Sequence, residues 1–246
     1  ATTVPGASTT VLQPEPKSMD EWEKLWANQR AAIIKRIKDN KWGLSADGKT
    51  ITGPEGFTVD TTKCVNNWSN TQGIENGTIK ISQAMAQSGT YADYGNIGKG
   101  IATVFKYYND KDVFKDANGK SLKVDYQIKD DGYDATRTIP LVDELIDSTK
   151  IFTMSTLGTA PSLKTYDKLN QRCIPQPFVQ SGHPAWGDPV NHPWTTGQQM
   201  AYNTEAVIWG AFIDQKFNEI KNANGKVVVR SEEHTSELQS HHDLVC

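Results

Sequence analysis

Residues 78–82 read TIKIS and begin the repeating pattern that decides the fold. Their alternation of polar and apolar side chains predicts a β-strand, and helical spacing follows it. The same pattern then recurs, with strands at residues 78–82, 122–128, 151–154 and 174–179, helices at residues 97–108, 135–147, 162–171 and 202–219, and a further strand beginning at residue 226. Strands that alternate with helices predict an α/β fold with a doubly wound, mostly parallel sheet.

Loops rich in glycine and hydroxyl residues follow three of these strands. They read QSGTYADYG at residues 87–95, TLGTAPS at residues 156–162 and QSGHPAWGD at residues 180–188. Ligands of such sheets bind beyond the carboxyl ends of the strands, so these loops are the candidate site. Pro175 and Pro177 indicate that the strand at residues 174–179 ends there or lies at an edge of the sheet.

The chain before residue 78 has a different composition. Residues 1–17 are small, polar and rich in proline and threonine, which predicts a flexible linker. Residues 18–77 form a predicted N-terminal extension: SMDE at residues 18–21 is a capping box, and helical spacing continues from it to about residue 42. Turn signals on both sides of residues 50–52 predict a hairpin after this helix.

Residues 230–246 read RSEEHTSELQSHHDLVC, which matches a translated sequencing-library adapter. Residues 230–240 match one fixed block and residues 243–246 the next block in the same frame, with the barcode at His241 and His242. We therefore expect that native sequence ends at residue 229 in this chain because the gene was cut short by its sequencing, and that the native reading frame continues further. The histidines and the cysteine of this tail are zinc and copper ligand types, but they are set aside with it.

Composition excludes several classes of partner. The tail holds one of 26 basic and four of 29 acidic residues, so residues 1–229 carry 25 of each and a formal charge of zero. A neutral chain has no electrostatic footprint for nucleic acid. No apolar run of membrane-spanning length and no signal peptide is visible. Cys64 and Cys173 are compatible with one disulfide or with two thiols.

The sequence contains no complete motif for catalysis or for binding a cofactor or metal. GNIGKG at residues 95–100 fits neither the P-loop nor the dinucleotide fingerprint. DDGYD at residues 130–134 lacks the glutamate of a calcium loop, and we expect Asp134 to cap the next helix. His183 has neither a serine nucleophile elbow nor a second histidine at metal-ligand spacing, so binding or structural use is favoured over catalysis. The sequence thus predicts no metal, no cofactor and no enzyme.

Residues 78–229 resemble the first lobe of extracytoplasmic substrate-binding proteins of branched-chain-amino-acid-type ABC transporters, which are type I periplasmic binding proteins. The matching pieces, in order, are IKI before SG and ADYG, then DDGYD, LGT, IPQP with SG, and WTTG. The extension at residues 18–77 resembles that of a subgroup of these proteins. The resemblance implies a two-lobed, extracytoplasmic receptor that closes on a small solute, an amino acid or amide-like compound, and presents it to an ABC permease in the membrane.

The resemblance also implies which residues bind the solute. Ser88 and Tyr94 would shape the pocket for its side chain, and the two later loops would hold its carboxylate and ammonium groups. The implied ligand-binding residues are Ser88, Tyr94, Leu157, Gly158, Thr159, Ala160, Ser181, Gly182, His183 and Tyr202. In an oxidising compartment, Cys64 and Cys173 could pair and attach the extension to the lobe.

Two other functions compete with solute capture. The same fold serves as the ligand-sensing module of receptors, which an adjoining DNA-binding motif or membrane span would favour. An enzyme on a doubly wound sheet is the third hypothesis, because fold alone does not decide function. Truncation predicts an exposed apolar surface and an unpaired sheet edge, and hence aggregation.

Overall fold

The computed structural model describes residues 15–65, 68–222 and 224–227, which fall into two compact units, Ala1–Lys63 and Cys64–Cys246. The adapter-like tail at residues 230–246 and most of the predicted linker lie outside the described residues. So do residues 228 and 229 of the last predicted strand, and residues 226 and 227 form no strand. Within the described residues, no helix is long and apolar enough to cross a membrane.

The first unit contains a helix and a small antiparallel sheet. Helix α1 (Met19–Asp39) begins where the capping box predicts, with the Ser18 hydroxyl accepting from the Glu21 N–H at 3.2 Å. The Glu21 carboxylate accepts from the Lys17 N–H at 2.7 Å, one residue before the expected partner. The predicted hairpin has three strands instead of two, paired in the order β1 (Gly43–Leu44), β2 (Thr50–Thr52) and β3 (Thr58–Asp60).

The second unit contains alternating strands and helices. Its strands are β4 (Ile74–Glu75), β5 (Thr78–Met85), β6 (Lys123–Asp130), β7 (Thr153–Thr156), β8 (Gln176–Val179) and β9 (Thr195–Gly197). Its helices are α2 (Gly95–Asp110), α3 (Ala135–Glu144), α4 (Thr159–Gln171) and α5 (Tyr202–Ile220). Residues 64–77, assigned to the extension from the sequence, fall in this unit, and β4 pairs with β5.

Strand β5 lies at the centre of a parallel sheet. It pairs with β6 on one side and with β7 on the other, and the antiparallel β4 meets its first residues. Strand β8 continues the sheet through a parallel bridge between Leu157 and Gln180, and β9 pairs in parallel with β8. The strands therefore lie in the order β6-β5-β7-β8-β9. The chain adds β6 on one side of β5 and the later strands on the other side, which confirms the doubly wound α/β prediction.

Of the two alternatives that the prolines indicated, a strand end and a sheet edge, the strand end holds for Pro175, which directly precedes β8. The edge position is wrong, because β8 lies between β7 and β9. The Met154 N–H donates to the Pro175 carbonyl at 3.1 Å on one side, while β9 pairs on the other. The register shifts between Gln176 and Val179, and Phe178 has a φ of 59°. This bulge accommodates Pro177, which has no N–H to donate to a regular ladder.

The main core lies between the sheet and helices α3 and α4. Its buried members are Ala84, Val142, Leu145, Ile146, Ile151, Met154, Leu169 and Ile174. Each large side chain of this kind contributes roughly 1.5–3 kcal/mol when fully buried. Helix α5 differs, because none of its residues is buried and Trp209 on its apolar stripe is 50% exposed.

Cys64 and Cys173 form a disulfide, with their Cα atoms 5.5 Å apart. The Trp68 indole donates to the Cys173 carbonyl at 3.1 Å and packs edge-on against Trp194. Cys173 lies three residues before β8, at the amino end of that strand. The disulfide therefore lies at the amino ends of the strands, opposite the loops that follow their carboxyl ends.

Candidate functional site

Four loops lie together at the carboxyl end of the parallel sheet, because they follow β5, β6, β7 and β8. The chain adds β6 on one side of β5 and β7 on the other, so the connections that follow β5 and β7 leave towards opposite faces of the sheet. Open α/β sheets bind ligands in a crevice at such a point. The predicted residues come from the loops after β5, β7 and β8, and Tyr202 begins α5.

The loop after β5 is fastened by Asp130 at the end of β6. One carboxylate oxygen of Asp130 accepts from the Gln87 N–H at 2.8 Å and from the Gly132 N–H at 3.0 Å. The Ser88 hydroxyl also donates to this carboxylate, and these hydrogen bonds hold the pKa of Asp130 below its usual range. Ser88 therefore positions the loop through Asp130, in addition to any contact with a solute.

The carboxylates of Asp131 and Asp134, in the loop after β6, accept hydrogen bonds from this loop and from the start of α3. Asp131 is fully buried and accepts from the Tyr133 N–H at 2.8 Å and from the Thr138 hydroxyl at 2.9 Å. Burial raises the pKa of Asp131, because the charged form is poorly solvated. Asp134 caps α3 by accepting from the Thr136 N–H at 2.8 Å, which confirms the capping prediction.

Tyr133 reaches across the sheet edge to the loop after β7. Gly158 has a φ of 90°, and a Cβ placed there would lie 2.4 Å from Cε2 of the Tyr133 ring. The ring therefore lies on the Gly158 backbone. It also packs against Tyr91, at 4.6 Å between ring centroids with the planes tilted by 38°, and its centroid lies 6.3 Å from that of Tyr94.

Tyr91 and Tyr133 were missed as site residues. Both stood in loops that the sequence analysis quoted, and an aromatic residue in a loop after a strand was the available signal. Tyr133 has a φ of 64°, a backbone conformation that nothing in the sequence indicates for a tyrosine.

The loops after β7 and β8 are joined by a pair of hydroxyl groups. The Thr159 and Ser181 hydroxyl oxygens lie 2.8 Å apart, and the Ser181 hydroxyl accepts from the His183 N–H at 3.2 Å. The Gly158 N–H donates to the Gln180 carbonyl at 3.1 Å beside them. Ser181 is fully buried, so Thr159 carries the more accessible of the two hydroxyls.

The remaining predicted residues lie at the same edge. Leu157 is buried, and Ala160 is exposed in the first turn of α4. The Tyr202 N–H donates to the Gly182 carbonyl at 2.6 Å, and its ring lies where a Gly182 Cβ would point. The His183 ring accepts from the Ala185 N–H at 3.2 Å through Nδ1, so this nitrogen caps the short turn Pro184–Gly187.

The groups at these strand ends can form hydrogen bonds and aromatic contacts with a solute. They comprise hydroxyl groups, aromatic faces and the first turn of α4, a 13-residue helix whose N-terminal N–H groups favour anions. Cys64 and Cys173 lie at the opposite ends of the strands and take no part in these contacts.

The fold has clear relatives among solved structures. A possible leucine/isoleucine/valine-binding protein from Rhodopirellula baltica SH 1 superposes with a TM-score of 0.52, at 21% identity, over 60% of this chain and 38% of that protein. An ABC transporter substrate-binding protein from Aeropyrum pernix gives 0.50, at 23% identity, over 57% of this chain and 35% of that one. The larger unit has the fold of a type I periplasmic binding protein.

A third structure of this fold is a branched-chain amino acid ABC transporter protein from Thermus thermophilus with bound valine. It gives a TM-score of 0.51 at 19% identity, over 56% of this chain and 35% of that one. The chain thus spans little more than a third of the length of these three proteins. No family model matches the sequence, and no curated protein matches it either.

Proposed function

We propose that this chain is an extracytoplasmic solute-binding protein of an ABC importer and captures an amino acid or a related small polar solute. The observation that carries the proposal is the direct joining of three loops at the point where the strand order reverses. The loops after β6 and β7 meet at Tyr133 and Gly158, and those after β7 and β8 meet at Thr159 and Ser181. Ligands of open α/β sheets bind at such a point.

The polar groups at this edge suit a zwitterion. The N–H groups of Thr159 and Ala160 in the first turn of α4, together with the half-buried Thr159 hydroxyl, can donate to a carboxylate. The same hydroxyl has lone pairs that can accept from an ammonium group. Hydrogen bonds of this kind gain strength when the solute is shielded from water.

The disulfide supports an extracytoplasmic location. Disulfides persist in oxidising compartments and are rare in the cytosol, where thiols are kept reduced. The bridge between Cys64 and Cys173 joins two segments of the larger unit, so a reduced protein would lose a structural link. The permease is the partner that this location and fold favour.

Calorimetric titration of the complete protein with the common amino acids and their amides tests the proposal. The source DNA is first resequenced across the codons for Val229 and Arg230, and the whole reading frame is expressed. We expect micromolar or tighter binding of at least one solute, and its loss by about tenfold in Thr159→Val, which keeps the shape of the side chain.

Thr103→Val is the matched control, because the Thr103 hydroxyl donates only to the Lys99 carbonyl within α2. It should bind as the unsubstituted protein does. Absence of binding to every solute, or equal loss in both variants, would contradict the proposal. A stop codon directly after Cys246 in the source DNA would remove its support for capture between two lobes.

A further inference from the structure

We propose that Tyr133, backed by Tyr91, is the specificity-determining wall of the site and selects a solute that carries a planar aromatic ring. This inference rests on the proposed function, since it names the class of solute that the same edge takes. It concerns two residues that the resemblance does not assign to the site.

Tyr133 is one of eight non-glycine residues with a positive φ among the described residues, and it is the one whose ring packs on the loop after β7. Its φ of 64° lies in the left-handed region, where a bulky side chain costs free energy that glycine or asparagine avoids. Asp131 holds this conformation by accepting from the Tyr133 N–H, and Gly132 before it has a φ of 61°. Strain of this kind is typical of functional sites.

The position of the ring places it over the crevice. Strands β6 and β7 flank β5, and Tyr133 follows β6 while Gly158 follows β7. A ring that reaches from one to the other passes over the carboxyl end of β5. A Cβ at Gly158 would lie within 2.7 Å of three Tyr133 ring and hydroxyl atoms, so the glycine is what permits this contact.

The three tyrosine rings form a triangular cluster, with centroids 4.6, 6.1 and 6.3 Å apart, and this packing decides what they can bind. Tyr91 and Tyr94 are inclined by 15°, Tyr94 and Tyr133 by 27°, and Tyr91 and Tyr133 by 38°. The 4.6 Å between the Tyr91 and Tyr133 centroids leaves no room for a group between them. The rings therefore do not enclose a cation as an aromatic cage does.

All three tyrosines are half-buried, so part of each ring remains accessible. A flat ring in the solute would pack against the accessible part of this cluster, and each aromatic pair adds about two- to tenfold in affinity beyond the burial of its area. A branched aliphatic side chain would gain only the burial. Gly158 also begins α4, so a carboxylate on the same solute would reach the first-turn N–H groups next to the ring.

The test compares aromatic with aliphatic solutes on the complete protein. The probes are L-phenylalanine, L-tyrosine and benzoate against L-leucine and L-isoleucine, titrated calorimetrically. We expect the best aromatic probe to bind about two- to tenfold more tightly than either aliphatic one. Tyr133→Phe should keep this ratio within about threefold, because the ring remains.

Tyr133→Asn removes the ring but suits the left-handed backbone, so it should fold. It should lower the ratio by about two- to tenfold, towards one, while the aliphatic affinity changes little. Unchanged circular dichroism and melting temperature would show that the loss is local. Tighter binding of leucine or isoleucine, with a ratio that Tyr133→Asn does not change, would overturn the inference and leave the proposed function standing. No binding by the five probes, with binding by another amino acid or an amide, would overturn the inference alone. No binding by any amino acid, any amide or benzoate would overturn both.

Discussion

The hydroxyl oxygens of Thr159 and Ser181 lie 2.8 Å apart, which fastens the start of α4 to the loop after β8. Ser181 is fully buried, so its hydroxyl depends on Thr159 and on the His183 N–H for its hydrogen bonds. A hydroxyl that loses such a partner away from water carries a desolvation cost.

Replacing Thr159 by valine should therefore lower the free energy of unfolding by about 1–2 kcal/mol. Thr159→Ser keeps the hydroxyl and should cost less. Chemical denaturation of both variants measures the difference, and a double-mutant cycle with Ser181→Ala isolates the pair. Additive losses in that cycle would show that the two hydroxyls are energetically independent.

Gly158→Ala should destabilise the larger unit by about 2–4 kcal/mol, because it combines backbone strain at a positive φ with a clash against Tyr133. In a Tyr133→Asn background the clash disappears and only the strain remains. The loss should then fall by roughly half, as measured by thermal or urea unfolding. An equal loss in both backgrounds would mean that the ring does not lie on Gly158.

The two neighbouring aspartates should give pH dependences of opposite sign. The pKa of Asp131 is raised by burial, so its contribution to stability is present below its ordinary pKa and is lost as pH rises through the raised value. Asp131→Asn should therefore become more stable relative to the unsubstituted protein as pH rises from about 4 to 7.

The pKa of Asp130 is lowered, chiefly by the Ser88 hydroxyl, so its contribution is present above its ordinary pKa and is lost as pH falls through the lowered value. Asp130→Asn should cost about 1 kcal/mol at pH 7 and less below pH of about 3. Urea midpoints across this range measure both effects. Parallel curves for the two variants would contradict the assignments.

Reduction of the disulfide should lower the free energy of unfolding by about 2–4 kcal/mol, because a bridge between residues 109 positions apart restricts the unfolded chain. Cys64→Ser with Cys173→Ser should melt at the temperature of the reduced protein and show no further response to reductant. Mass spectrometry of unreduced peptides should recover Cys64 linked to Cys173. Quantitative alkylation of both thiols without reductant would contradict the bridge.

Phe178 combines a φ of 59° with a side chain that is 65% exposed. Phe178→Gly should therefore be neutral or stabilising by up to about 1 kcal/mol, since little burial is lost and the strain is relieved. It should also reduce aggregation, because an exposed aromatic side chain is removed from the surface. Phe178→Val tests the cause, because a β-branched residue tolerates this φ poorly and should lower the melting temperature.

Periodicity predicted the α/β alternation and the capping residues Ser18 and Asp134 because these signals are local. Strand β9 was missed, since Thr195–Gly197 has no apolar alternation and becomes a strand only by pairing with β8. Strand β5 was predicted too short because Ser82 and Gln83 are polar, although both are buried at the centre of the sheet. The loops of the site could be predicted because they follow the predicted strands. The contact between Tyr133 and Gly158 could not, because it depends on two backbone conformations that residue types do not reveal.

The separation of Cys64 and Cys173 also dictates when their bond can form. A protein that crosses a membrane from its amino end delivers Cys64 first, and its partner arrives only after β5, β6, β7 and α4 have emerged. Until then the early thiol is open to oxidants and to mispairing with other proteins. Under the proposed extracytoplasmic location, an intact bridge in cells whose free thiols are alkylated before lysis would mark a chain whose translocation had passed residue 173. The bond could then report export in pulse-labelled cells.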